Sequence, residues 1–188
     1  MIIVVDCDGV LLNWEHTFRY WMKTKGYKAK YVSYNVSEMY EIPETEALRQ
    51  ISYFSESAAI GFLPPLRDSI KYVRKLHEEH GYVFHCITSF GNDQYAMRLR
   101  EENLKRVFGE SVFERIVCLG CGEDKTEALK RYNDSGFVWI EDKPENAEVG
   151  LQLGLRPFLI NHNYNEKVEL SNGIVRVNNW KEIYEHIA

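Results

Sequence analysis

Side chains able to handle a phosphate and a hard cation stand at the ends of short apolar runs. They are Asp6 and Asp8, Thr88 and Ser89, Lys125, and Glu141 with Asp142. Carboxylates from two of these places can ligate Mg²⁺, which takes oxygen donors in an octahedron that keeps several waters. One carboxylate can also attack phosphorus and form an aspartyl phosphate, which splits one slow displacement into two easier ones. The repulsion between that carboxylate and a phosphate dianion calls for a cation to bridge them. A second acid must protonate the leaving alkoxide and later deprotonate water. Asp8, two residues beyond Asp6, is placed for that work. The Thr88 hydroxyl and the Lys125 ammonium would hold the non-bridging oxygens.

Bringing these residues together requires a parallel sheet. Residues 2–5 are an uninterrupted apolar, β-branched run, the pattern of a strand buried on both faces and central in such a sheet. Further strands are expected over 82–88, 115–119, 137–140 and 157–160, with a short edge strand at 175–177. Helical patterns fall between them, at 68–80 with Asp68 as N-cap, 94–103, 104–108, 125–132, 146–153 and 180–188. Strands alternating with helices predict an α/β, Rossmann-like core with helices flanking the sheet. Residues 13–63 differ: they are rich in aromatics at helical spacing and read as a small helical cap inserted after the first strand. The expected division is a core of 1–12 and 64–188 and a cap of 13–63. In open α/β sheets ligands bind beyond the carboxyl ends of the strands, where the chemical residues above lie.

Composition narrows the partners. The chain has 188 residues, 45% hydrophobic and 27% charged, with a formal net charge of −5. A negative protein gains little from counterion release, so stable nucleic-acid binding is not expected. A small phosphorylated substrate fits a local positive site within a negative whole. The four cysteines, Cys7, Cys86, Cys118 and Cys121, include a lone C-x-x-C with no zinc-spaced partners, so they read as structural, reduced thiols of a cytoplasmic protein. The apolar run before Asp6 is too short for a signal peptide, and no run reaches membrane-span length. A homodimer is left open.

With the order and spacing set out, Asp6-Cys7-Asp8-Gly9-Val10-Leu11, Thr88-Ser89, Lys125 and Glu141-Asp142-Lys143-Pro144-Glu145-Asn146 resemble the four ordered motifs of the haloacid dehalogenase superfamily of phosphohydrolases. The resemblance implies Mg²⁺ as cofactor and Asp6 as nucleophile, with Asp8 as general acid and base. It implies phosphate contacts from Thr88, Ser89 and Lys125, and metal ligation by Asp6, Asp142 and the backbone carbonyl of Asp8. Glu141 and Asn146 would support the ligands. Within the superfamily the segments Gly61-Phe62-Leu63-Pro64-Pro65-Leu66, Ile87-Thr88-Ser89 and Asp124-Lys125-Thr126 are most similar to the 5′(3′)-deoxyribonucleotidases, with Glu141 departing from a more usual Asp. This implies a (deoxy)nucleoside monophosphate as substrate. The alternatives are a sugar phosphate, a nucleic-acid 3′ or 5′ end, or a protein that binds Mg²⁺ and phosphate without turnover.

A nucleobase needs aromatic faces. Trp14, Phe18, Tyr34 and Phe90 are the candidates, with Phe90 foremost because it follows Thr88-Ser89 directly. The competing reading is that such rings form the insertion's own core. His162, Arg67 and Arg98 are weaker candidates for contact with substrate.

Overall fold

The computed structural model describes all 188 residues, Met1–Ala188. Six parallel strands form one sheet in the order β3-β2-β1-β4-β5-β6. They are β1 (Ile2–Val5), β2 (Val83–Ser89), β3 (Phe113–Leu119), β4 (Val138–Glu141), β5 (Arg156–Ile160) and β6 (Val175–Val177). The pairings β1 with β2 and β1 with β4 run in opposite directions across the sheet, so β1 and β4 flank the point where strand order reverses. Ile3, Val4 and Val5 are fully buried, as a central strand requires. β6 is the edge strand expected from the sequence, parallel to β5.

The helices are α1 (Trp14–Thr24), α2 (Val36–Tyr40), α3 (Glu44–Ser55), α4 (Ser69–His80), α5 (Gln94–Phe108), α6 (Thr126–Leu129), α7 (Pro144–Gln152) and α8 (Trp180–Ile187). A 3-10 turn at Ala58–Phe62 precedes the return to the core, and another at Lys130–Tyr132 extends α6. The helices expected at 94–103 and 104–108 are one continuous helix. Within it the buried Asn103 amide serves tertiary structure: Leu63 N–H donates to Oδ1 at 2.7 Å, and Nδ2 donates to Leu63 O at 3.2 Å. Asp68 stands at the start of α4 without capping it. Its carboxylate instead accepts the N–H groups of Trp180 (3.1 Å) and Lys181 (3.0 Å), satisfying free donors at the start of α8.

The helices between β1 and α4 pack against the sheet. One cluster of buried apolar residues includes Phe18, Met22, Met39 and Phe54 of the insertion together with Ile3, Val5, Phe84 and Ile140 of the sheet. Trp14 stacks on Phe18 at 4.4 Å, and Phe54 meets both rings edge-on. The entry and exit of the insertion run side by side: Asn13 N–H donates to Pro64 O (2.8 Å) and Leu66 N–H to Leu11 O (2.8 Å). No helix is long and apolar enough to cross a membrane.

Candidate active site

The carboxyl ends of β1, β2 and β4 and the start of α6 converge on one cavity of about 630 Å³. Its lining includes Asp6, Asp8, Thr88, Ser89, Phe90, Lys125, Glu141, Asp142 and Asn146, so every residue singled out for chemistry is brought together. The wall opposite comes from the insertion, through Trp14, Val36, Met39, Leu48 and Ile51.

Lys125 is the centre of charge. It is 4% exposed, and its Nζ lies 2.8 Å from both Asp6 Oδ1 and Glu141 Oε1. Burial would strip its proton, but the two carboxylates outweigh burial and hold its pKa above the ordinary lysine value. Glu141 is saturated. Oε1 accepts from Lys125 (2.8 Å) and from Asn146 Nδ2, and Oε2 accepts the N–H groups of Asp142 (2.7 Å) and Lys143 (3.3 Å). Burial pushes Glu141 up, yet Lys125 and these donors hold it below the usual carboxylate range. That saturation makes it a support that shapes the turn after β4 and orients Lys125.

Asp6 and Asp142 are different. Burial, followed by neighbouring carboxylates, raises Asp6 to about 7 against the pull of Lys125. Asp142 is pushed well above its usual value by burial first, then by Glu141 and Asp6. Asp6 Oδ1 lies 2.8 Å from Lys125 Nζ, so the one buried ammonium is shared between Asp6 and Glu141. Asp6, Glu141 and Asp142 present oxygens all within 4.8 Å of one another. Three buried carboxylates against one ammonium leave an excess of negative charge, and buried charge without a counter-charge is costly. An all-oxygen donor set with that excess fits a hard divalent cation.

Gly9 is required beside these carboxylates. Its φ is +76°, and a Cβ there would lie 2.3 Å from Asp142 Oδ2. The loop after β5 completes the support. Tyr164 Oη donates to Asp142 Oδ2, Asn165 Nδ2 donates to Asp142 O (2.7 Å), and His162 Nε2 donates to Gly9 O (2.7 Å). Burial lowers the His162 pKa, consistent with a neutral ring. Sequence reasoning gave His162 only a weak claim and missed Tyr164 and Asn165; their sole signal was a polar loop following a strand end.

The remaining candidates divide. Thr88 is 1% exposed at the floor of the cavity. Ser89 Oγ donates to Glu123 O (2.9 Å), so it also holds the loop before Lys125. Phe90, foremost of the stacking candidates, does not present an open face: it is 3% exposed, and the Arg100 guanidinium sits 4.8 Å from its ring centre. Phe18 is likewise buried in the insertion's aromatic cluster. Trp14 borders the cavity, and Tyr34 stands exposed at its mouth, 5.5 Å from the Tyr164 ring and 5.7 Å from Lys143 Nζ. Arg67 donates to the backbone oxygens of Asn161 and Asn178, both at 3.0 Å. Arg98 is exposed on α5 and away from the cavity.

This architecture is the fold of the haloacid dehalogenase superfamily. A haloacid dehalogenase-like hydrolase from Streptococcus pneumoniae superposes with a TM-score of 0.70 at 14% identity, covering 100% of this chain and 98% of that one. A D,D-heptose 1,7-bisphosphate phosphatase from Burkholderia thailandensis superposes with a TM-score of 0.59 at 14% identity, covering 98% and 96%. Phosphatases and dehalogenases both occur among the similar structures. In sequence, the chain is 21% identical over 161 residues to an uncharacterised 32.4 kDa protein of Enterobacteria phage T4. That match covers 80% of this chain and 57% of the relative's length. No protein-family model matches the chain.

Proposed function

We propose that the protein is a Mg²⁺-dependent phosphomonoesterase acting on a (deoxy)nucleoside monophosphate through an aspartyl phosphate on Asp6. The observation that carries this reading is Asp6 itself: a buried carboxylate paired with Lys125, grouped with Glu141 and Asp142 with oxygens all within 4.8 Å of one another, and lining the cavity. Asp6, Asp142 and the backbone carbonyl of Asp8 would hold Mg²⁺, with Glu141, Asn146 and Tyr164 in support. Bound there, Mg²⁺ would offset the repulsion between Asp6 and the phosphate dianion.

Asp6 attacks phosphorus as the ester P–O bond breaks, and Asp8 gives its proton to the departing oxygen. Water then attacks the aspartyl phosphate and passes a proton to Asp8. The bond from phosphorus to Asp6 breaks, releasing inorganic phosphate and restoring the Asp6 carboxylate. Lys125 and Thr88 hold the non-bridging oxygens through both steps. A dehalogenase would need less: a halide leaves as a stable anion and needs no proton. A second carboxylate at Asp8 and a cation-demanding carboxylate cluster favour phosphoryl chemistry over that alternative.

The cavity supports a nucleotide-sized substrate. Its 630 Å³ and apolar wall of Trp14, Val36, Met39, Leu48 and Ile51 suit a base and sugar above the phosphate. The insertion, residues 13–63, would act as the cap that excludes bulk water. The likeness to a heptose bisphosphate phosphatase keeps a sugar phosphate as the second reading. The test is phosphate release from 5′- and 3′-(deoxy)nucleotides, sugar phosphates and an end-phosphorylated oligonucleotide, with Mg²⁺, with EDTA and with Asp6→Asn. Mg²⁺-dependent release led by deoxynucleotides is expected. Release led by sugar phosphates replaces the substrate and keeps the mechanism. Absence of Asp6-dependent release overturns the reading.

A further inference from the structure

Arg100 lies in the middle of α5 and is fully buried. A guanidinium carries its charge at every accessible pH, so its burial demands partners. Three neighbours meet it. Nη1 donates to Asp8 Oδ1 at 2.6 Å and Nη2 to Asp8 Oδ2 at 2.8 Å, a parallel two-bond clamp across 92 residues of chain. Nη1 also donates to Cys7 Sγ at 3.0 Å, and the Phe90 ring covers the plane at 4.8 Å. Nε has no partner. The group is therefore less than fully satisfied where it is, and the two bonds to Asp8 are its main compensation.

The Asp8 side chain is 22% exposed, whereas Arg100 is 0% exposed. The guanidinium thus grips Asp8 from the interior, while Asp8 still lines the cavity. A short carboxylate on a loop next to a glycine of positive φ has rotational freedom. A planar two-bond partner removes it, which a single point charge cannot do. General acid catalysis depends on such placement, because the donor must lie within hydrogen-bond reach of the departing oxygen.

We propose that Arg100, backed by the Phe90 ring, is a positioning residue that sets the orientation of the Asp8 carboxyl for proton transfer. This rests on the phosphomonoesterase reading above. In that reading Arg100 touches neither substrate nor cation; it acts through Asp8 alone. Phe90 thereby gains a role other than base stacking.

The test uses the full chain with Mg²⁺ and two aryl phosphates of unequal leaving group. With 2,4-dinitrophenyl phosphate the phenolate leaves without a proton. With 4-methylphenyl phosphate it needs one. Arg100→Lys and Arg100→Ala are expected to lower kcat/KM for the methylphenyl ester by roughly 100-fold and for the dinitrophenyl ester by less than about 5-fold. Asp8→Asn should give the same pattern. Adding Arg100→Ala to Asp8→Asn should cost little more, since two residues acting as one unit are not additive. Added guanidinium should restore part of the Arg100→Ala loss on the methylphenyl ester. Phe90→Leu, which keeps the buried volume near native, should show a weaker form of the same leaving-group dependence and answers the case in which Arg100 variants do not fold. Equal losses on both esters in a folded variant, or additive losses in the double variant, overturn the inference and leave the phosphomonoesterase reading standing. Absence of Asp6-dependent release of either phenol by the unmodified protein overturns both.

Discussion

Gly9 and Asp142 are in such close contact that a single added carbon does not fit between them: a Cβ on Gly9 would lie 2.3 Å from Asp142 Oδ2. The backbone after β1 and the carboxylate after β4 are thereby packed as one surface. His162, bonded to Gly9 O, and Tyr164, bonded to Asp142, hold that surface from behind.

Gly9→Ala should therefore act on the cation before it acts on the fold. The φ of +76° adds strain of about 1 kcal/mol or more for any L side chain. The larger effect is the displacement of Asp142. Mg²⁺ affinity is expected to fall roughly 10- to 100-fold, the range seen when ligand support is disturbed. Calorimetric titration with Mg²⁺ checks this, and an unchanged affinity would contradict the contact.

Lys125→Met removes the one ammonium among three buried carboxylates. Breaking a buried ion pair by deleting one partner costs roughly 3–5 kcal/mol. The variant should unfold at lower denaturant than the parent in EDTA at pH 8. Mg²⁺ or a lower pH should return part of the loss, because either relieves the uncompensated negative charge. Equal losses at pH 5 and pH 8 would point to packing instead.

Chelation should change how stability depends on pH. Burial holds Asp6 at about 7 in the folded protein, above its ordinary value of 3.8, and Asp142 is raised in the same direction. Between these limits the folded state binds more protons than the unfolded state. The contribution of Asp6 is thus fully present below its ordinary value of 3.8 and is lost as pH rises through about 7. Glu141 is lowered and works the other way, losing its contribution only as pH falls through its folded value. In EDTA the melting temperature should decline from pH 5 to pH 8, and saturating Mg²⁺ should flatten or reverse that slope. A rise with pH in EDTA would refute the electrostatic account of the site.

Much of this was legible in the chain. Asp6, Asp8, Thr88, Lys125 and Asp142 announce themselves because each follows a short apolar run, and a parallel sheet aligns the ends of such runs. The alternation of strands and helices and the helical character of residues 13–63 follow from the same periodicities. Helix ends were less legible. The helix boundary expected between residues 103 and 104 lies inside α5, where Asn103 is a tertiary anchor, and Asp68, expected to cap α4, serves α8 instead.

The sequence by itself determined which chemical groups stand at which strand ends, since a strand run and the residue after it are local facts. Only the tertiary structure decided what those groups touch. Arg100 carries no local mark that distinguishes it from Arg98 two positions away, yet the packing of α5 buries one beneath Asp8 and leaves the other exposed. Phe90 lost its open face to that same arginine. Tyr164 and Asn165 sit in an unremarkable polar loop and reach Asp142 only because β5 lies beside β4. Side-chain reach is a property of neighbouring elements, and neighbours far apart in the chain are set by how helices and strands pack.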